Sequence, residues 1–308
     1  MNIILAQPRG FCAGVNRAIK IVESAIEKYS PPVYVLHEIV HNTHVINRLS
    51  ESGAIFVEEL EDIPENTITI FSAHGVSKAV VRRAEERGLK IIDATCPLVT
   101  KVHHQAQRYR KEGYDIVVIG HAGHPEVEGT LGRIDGKATV ISSPEEVASI
   151  PAPANRRIAY VTQTTLSIDD TKDIIEALKD RFPDIRGPEL KDICYATQSR
   201  QNAVRELADS IDILLVVGSV NSSNSNRLRE AGEHRGLPAY LIDNADVMDL
   251  SWFSDDMTVG ITAGASAPEV LVQDVVKRLT ENFNVKVDNM EGPTENMKFK
   301  LPPLPDYN

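Results

Sequence analysis

Short runs of β-branched and aliphatic residues, each followed by a longer stretch with helical spacing, alternate along the whole chain. The runs lie at 3–6, 33–36, 67–71, 90–93, 115–120, 157–162, 212–218, 239–242 and 257–262. They are continuously apolar and bounded by turn residues, which suits strands buried on both faces of a parallel sheet. Between the first two, Val15, Ala18, Ile19, Val22 and Ile26 follow i, i+3, i+4, i+7, i+11, one apolar stripe of a helix. Alternation of this kind defines an α/β chain with right-handed crossovers. At 308 residues there is room for one large or two to three small domains.

Three cysteines, Cys12, Cys96 and Cys194, cut the chain at intervals of 84 and 98 residues. Each follows an apolar run and precedes a helical pattern, in IILAQPRGFCAGVNRAIKIV, KIIDATCPLVTKVHHQA and ELKDICYATQSRQNAV. Pro97, directly after Cys96, suits a first helical position. The chain therefore reads as three α/β units of similar size, each opening a helix with a cysteine. Any one of these thiols alone is an ordinary small core residue. Their shared context argues for more, because a helix N-terminus favours thiolate over thiol. A three-thiolate site takes zinc with a fourth histidine or water, or an iron–sulfur cluster with one iron left open. The wide spacing excludes a zinc knuckle. Three cysteines are also too few for a disulfide scaffold. The start has no basic segment and no run approaches the ~20 apolar residues of a membrane span, so a reduced, cytoplasmic protein is expected. With 33 Lys+Arg against 44 Asp+Glu, a net charge of −11 and 5% aromatic residues, the chain is not built to bind nucleic acid.

In open α/β folds ligands bind beyond the carboxyl ends of the strands. Just past the runs stand His37, Glu38 and His41; Ser72, His74 and Gly75; His121, His124 and Glu126; Gln163, Thr164 and Thr165; Ser222, Ser223 and Asn224; and Ser266. Singly these are turn residues. Together they form a set of imidazole, hydroxyl and amide groups without lysine or arginine, able to hold a small phosphorylated ligand. Ser223–Asn224 and Ser266–Ala267 precede helical patterns, whose first amides favour an anion. No G-x-x-x-x-G-K-[ST] occurs and no strand leads into G-x-G-x-x-G, which disfavours nucleotide hydrolysis and nicotinamide chemistry. In GHAGHPEVEG, Gly and Pro prevent two histidines from sharing a helical face as zinc ligands. Glu126 is either a solvated loop acid or a proton donor whose pKa is raised by burial. His37, His44, His103, His104 and His234 are read as surface or packing residues.

The segments QPRGFCAGVNRAI, HEIVHN, FSAHGV, DATCPLVTKVH, GHAGHPEVEGT, TQTTLS, CYATQSRQ, GSVNSSNSNRL and TAGASAPE, in that order, resemble those of the 4-hydroxy-3-methylbut-2-enyl diphosphate reductases of the non-mevalonate isoprenoid pathway. The resemblance runs to about residue 280. It implies three small α/β domains with mostly parallel sheets, in a pseudo-threefold trefoil around a central [4Fe-4S] cluster held by Cys12, Cys96 and Cys194. One iron would stay open for the hydroxyl of an allylic diphosphate substrate. The resemblance assigns the diphosphate to His41, His74, His124, Ser222, Ser223, Asn224 and Ser266. It sets Thr164 and Glu126 beside the hydroxyl as a proton relay. The implied reaction is reductive dehydroxylation to isopentenyl and dimethylallyl diphosphate, the last step of that pathway. Electrons would come from ferredoxin or flavodoxin with its reductase, since no flavin or nicotinamide motif is present. The expected division is an N-terminal strand and first cysteine at 1–13 packing with the third domain. Domains follow at 14–96, 97–193 and 194–281, and a C-terminal strap or tail at 282–308. Two other readings are a three-cysteine lyase of the quinolinate synthase type and a non-catalytic iron–sulfur or zinc regulator. The histidine and serine set argues against the first, and the lack of a basic DNA-binding module against the second.

Overall fold

The computed structural model describes residues 1–151 and 157–307. Every strand pair in it is parallel. By internal contacts the chain divides into two compact units. The first comprises Met1–Val15, His41–Asn47 and Tyr195–Lys298; the second comprises Asn16–Val40, Arg48–Cys194 and Phe299–Asn308.

The first unit holds strands β1 (Asn2–Leu5), β9 (Ile213–Val217), β10 (Ala239–Ile242), β11 (Thr258–Ala263) and β12 (Lys286–Asn289). They form one sheet in the order β10-β9-β11-β1-β12. Side chains on successive strand residues point to opposite faces, so each strand feeds two cores. Ile3, Leu5, Ile213, Leu215 and Val217 face one way, onto Leu271, Val272, Val275 and Leu279 of helix α9 (Glu269–Asn282). Ile4, Leu214 and Val216 face the other, onto Ala203, Val204 and Leu207 of α7 (Tyr195–Leu207) and Leu228 of α8 (Ser223–Glu233).

The second unit holds two sheets. One orders β3 (Ala54–Val57), β2 (Val33–Leu36), β4 (Ile68–Phe71) and β5 (Lys90–Asp93) as β3-β2-β4-β5. The other orders β6 (Asp115–Ile119), β7 (Ala138–Ile141) and β8 (Ile158–Thr162) as β7-β6-β8. The helices are α1 (Ala13–Tyr29), α2 (Thr43–Glu51), α3 (Lys78–Glu86), α4 (Pro97–Lys111), α5 (Pro125–Leu131) and α6 (Ile168–Arg181), with α1 and α2 running across the boundary between the units. On α1, Val15, Ala18, Ile19 and Val22 of the stripe are buried, while Ile26 is only partly so. Val117, Ile119 and Tyr160 face α6, while Ile116, Val118, Ala159 and Val161 face α4 and α5.

All nine runs read as strands are strands, and the α/β class with parallel sheets holds. Three further strands, β3, β7 and β12, were not anticipated, and each lies at a sheet edge. An edge strand is covered on fewer sides, so its sequence carries less of the apolar signal; all four residues of β12 are exposed.

Candidate active site

In the second unit the polar residues past the strands collect on three neighbouring loops. His124 caps α5, its Nδ1 accepting the Glu126 amide at 3.1 Å. That bond requires Nδ1 to be without a proton, so the neutral ring carries its hydrogen on Nε2 and can donate from there. The His74 ring stands edge-on to His124 with centroids 5.8 Å apart, and its Nδ1 is 3.3 Å from Ser72 Oγ. Gly75 follows with φ +78°, and a Cβ there would lie 2.8 Å from the His103 ring and 3.0 Å from Thr95 Cγ2. Only glycine satisfies both the backbone and the space. The Cβ of any residue at 129 would meet the Gly75 carbonyl oxygen at 3.0 Å, so α5 lies backbone-close to the His74 loop.

Glu126, in the first turn of α5, is 2% exposed, so it is not a solvated loop acid. The Thr164 amide donates to its Oε1 at 2.6 Å and the Thr164 hydroxyl to its Oε2 at 2.9 Å. Burial pushes the Glu126 carboxyl up to about 7, against the pull of these two bonds; the negative charge of Asp192 adds to the rise. Thr164 in turn accepts the Cys194 amide on its carbonyl at 3.0 Å. Acid, hydroxyl and cysteine backbone are therefore one hydrogen-bonded chain. Cys96 precedes Pro97, the first residue of α4, and its amide donates to the Ala73 carbonyl at 3.0 Å, beside His74.

In the first unit, Ser222 caps α8 by accepting the Ser225 amide, and its hydroxyl lies 3.5 Å from that of Ser266. Ser266 donates to the His41 carbonyl at 2.9 Å. Asn224 Oδ1 accepts the Ala265 amide at 2.8 Å, while its Nδ2 is buried without a hydrogen-bond partner among the described residues. Ser223 opens the same helix. Cys12 donates its amide to the Ala265 carbonyl at 3.1 Å, and its Sγ accepts the Val15 amide at 3.5 Å, at the start of α1. Cys12, His41, Ser222, Ser223, Asn224 and Ser266 thus belong to one unit; Cys96, Cys194, His74, His124, Glu126 and Thr164 belong to the other.

All three cysteines are partly exposed, lie outside any disulfide, and stand at or next to a helix start. This donor set fits a group bound through thiolates. Among the described residues no three His, Cys, Asp or Glu side chains lie close enough to hold a single metal ion. A cluster of several irons takes each thiolate on a different iron, and so at wider separation. Three residues escaped the sequence reading. Asp192 is 3% exposed with Lys101 Nζ 3.8 Å away, and burial raises its pKa. The Tyr195 hydroxyl accepts the Ala13 amide at 3.2 Å, and Arg200 is fully buried. The available signal was the density of polar residues around Cys194 in KDICYATQSR.

Fold and site together define a class: an α/β enzyme built on parallel sheets, with thiols at helix starts, a buried acid, and strand ends rich in hydroxyl, amide and imidazole groups. Within that class the chain belongs to the LytB protein family, whose model matches residues 3–280. It is 56% identical, over 98% of both chains, to "4-hydroxy-3-methylbut-2-enyl diphosphate reductase 2" of Bradyrhizobium diazoefficiens. It is 55% identical to "4-hydroxy-3-methylbut-2-enyl diphosphate reductase" of Zymomonas mobilis, over 98% of this chain and 89% of the other. The structure of the E-1-hydroxy-2-methyl-but-2-enyl-4-diphosphate reductase from Plasmodium falciparum superposes with a TM-score of 0.94 at 41% identity, covering 97% of this chain and 95% of that one.

Proposed function

We propose that this chain is a 4-hydroxy-3-methylbut-2-enyl diphosphate reductase, an oxidoreductase that removes the allylic hydroxyl as water and yields isopentenyl and dimethylallyl diphosphate. The observation that supports the reading most is buried Glu126, which accepts two hydrogen bonds from Thr164, the residue whose carbonyl in turn accepts the amide of the candidate ligand Cys194. Full-length relatives named for this reaction support it.

Cys12, Cys96 and Cys194 are assigned as the thiolate ligands of a [4Fe-4S] cluster. When bound, such a group supplies electrons and a Lewis-acidic iron for the leaving oxygen. The chain's own residues do the rest. His41, His74, His124, Ser222, Ser223, Asn224 and Ser266 are assigned to the diphosphate. Asn224 Nδ2, buried and unsatisfied among the described residues, is a donor awaiting an acceptor. With its Nδ1 accepting the Glu126 amide, His124 carries its ring hydrogen on Nε2, the nitrogen assigned to the diphosphate. With the Glu126 carboxyl at about 7, a large share is protonated at neutral pH. In that state Oε2–H donates to Thr164 Oγ1, freeing the Thr164 hydroxyl hydrogen to turn toward the departing oxygen. Thr164 passes the proton on and Glu126 resupplies it. External electrons are assigned to ferredoxin or flavodoxin with its reductase, acting in the reducing cytoplasm. No helix among the described residues is long and apolar enough to cross a membrane.

The test is anaerobic turnover of the allylic diphosphate with a chemical reductant, using brown, iron-loaded protein. Both product diphosphates are expected. Iron-loaded protein that consumes no substrate overturns the reading.

A further inference from the structure

The stretch after β12 is proline-rich and has no periodicity, yet its polar atoms meet two arginines that each hold a cysteine loop. In the first unit, Arg200 of α7 is fully buried. Its Nε and Nη2 donate to the Gly10 carbonyl at 3.0 and 2.7 Å, and Gly10 lies two residues before Cys12. Its Nη1 donates to the Ala196 carbonyl at 3.0 Å, two residues after Cys194. The same guanidinium forks onto Glu295, with Nη1 to Oε1 at 2.9 Å and Nη2 to Oε2 at 3.0 Å; Ser199 Oγ holds Oε1 from the side at 2.6 Å.

In the second unit, Arg17 of α1 plays a parallel part. Its Nη1 donates to the carbonyls of Ala94 and Thr95 at 3.2 and 3.0 Å, the two residues immediately before Cys96. Its Nε donates to the Lys300 carbonyl at 3.0 Å. Beyond Lys300 the chain is held by Lys28 on Asp306, by Tyr29 on the Pro305 carbonyl, and by Tyr307 on the Ile91 carbonyl. An arginine fork fixes several acceptors in one plane, a task no other side chain performs. Arg200 also needs Glu295, because a buried guanidinium without its carboxylate is an uncompensated charge.

We propose that Arg200 with Glu295, and Arg17 with the Lys300 carbonyl, are positioning residues that fix the Cys12 and Cys96 loops, making the C-terminal segment part of the thiol framework. The functional meaning rests on those cysteines being cluster ligands; the fixing itself does not.

Two full-length variants test this, Glu295→Gln and Arg17→Met, read by residue-resolved hydrogen exchange on the iron-free chain and by iron release to a chelator from the loaded one. In Glu295→Gln the Gly10 and Cys12 amides are expected to exchange about tenfold faster or more, with β9 amides unchanged. In Arg17→Met the Cys96 amide is expected to do so while Cys12 keeps its rate. Iron release should quicken in both, and Arg17→Lys, which keeps the charge and one donor group, should recover part of the loss. Unchanged exchange at both loops overturns the proposal. Equal acceleration in β9 also overturns it, since the pair would then be a general stabiliser. If wild-type protein takes up no iron while the local exchange effects stand, the cluster reading fails and the positioning remains.

Discussion

The protonation of Glu126 is set by opposing forces that differ in kind. Burial disfavours the carboxylate, while the two bonds from Thr164 favour it, and burial prevails to bring the group to about 7. Glu126→Gln keeps the shape and much of the hydrogen bonding but has no transferable proton. Substrate is expected to bind, read by the cluster's spectrum under anaerobic conditions, while turnover falls ~10²–10⁴-fold. In the parent protein the protonated fraction declines as pH rises through 7, so activity should fall on that alkaline limb, and the variant should lack the limb. Stability carries the same sign. The folded state binds this proton more tightly than the unfolded chain, whose carboxyl titrates near 4.5. Burying the acid therefore costs progressively more stability from that pH up through 7, and Glu126→Gln should remove this slope in denaturant titrations. His124→Phe combines two losses. Removing the donor proposed for the diphosphate should weaken substrate by roughly 1.5–3 kcal/mol, a tenfold to hundredfold change in affinity. Losing the cap on α5 should separately lower thermal stability by ~1 kcal/mol. The positions of His124 and Glu126 past a strand end were legible in the sequence, because they lie a few residues beyond the apolar run at 115–120. The environment that gives Glu126 its pKa was not, since Thr164 lies 38 residues away. Arg200 was hidden for the same reason, its carboxylate standing 95 residues further on.

At the scale of elements, the site depends on how closely α5 approaches the loop before α3. Ser77 caps α3, and a Cβ at Gly132 would stand 2.0 Å from Ser77 Cβ and 2.9 Å from its Cα. The φ of Gly132 is −69°, open to any residue, so contact alone demands glycine. Gly132→Ala is expected to push α5 off this loop and destabilise the protein by about 1–3 kcal/mol in a thermal melt. Turnover should fall as well, because Glu126 rides on the same helix. The start of α4 was readable from Pro97, which stands at its first position as its residue type favours, whereas the serine caps of α3 and α6, Ser77 and Ser167, were not read. The edges of the sheets were not readable. A strand such as β7, with only Ile141 buried, gives hydrophobic patterning little to register.

At the scale of the whole molecule, the proposed assignment of thiols far apart in sequence ties metal loading to the integrity of the fold. If Cys12, Cys96 and Cys194 are the ligands proposed above, an unfolded chain cannot gather them, so the loaded protein should melt well above the iron-free one. Replacing any one of Cys12, Cys96 or Cys194 by Ser should erase most of that increment along with turnover, measured by calorimetry and iron content. The order of the first unit's sheet has a consequence in time. β1 lies between β11 and β12, pairing Asn2 with Thr258 and with Lys286. At the ribosome's pace of about 5–20 residues per second, the first strand made waits roughly 13–50 s for its first neighbour in the sheet to be synthesised. The Cys12 amide, which bonds to Ala265, waits with it. At this end of the chain the segment carrying the first thiol is therefore made long before the strand and loop that it joins, and its native backbone bonds are completed only near the end of synthesis.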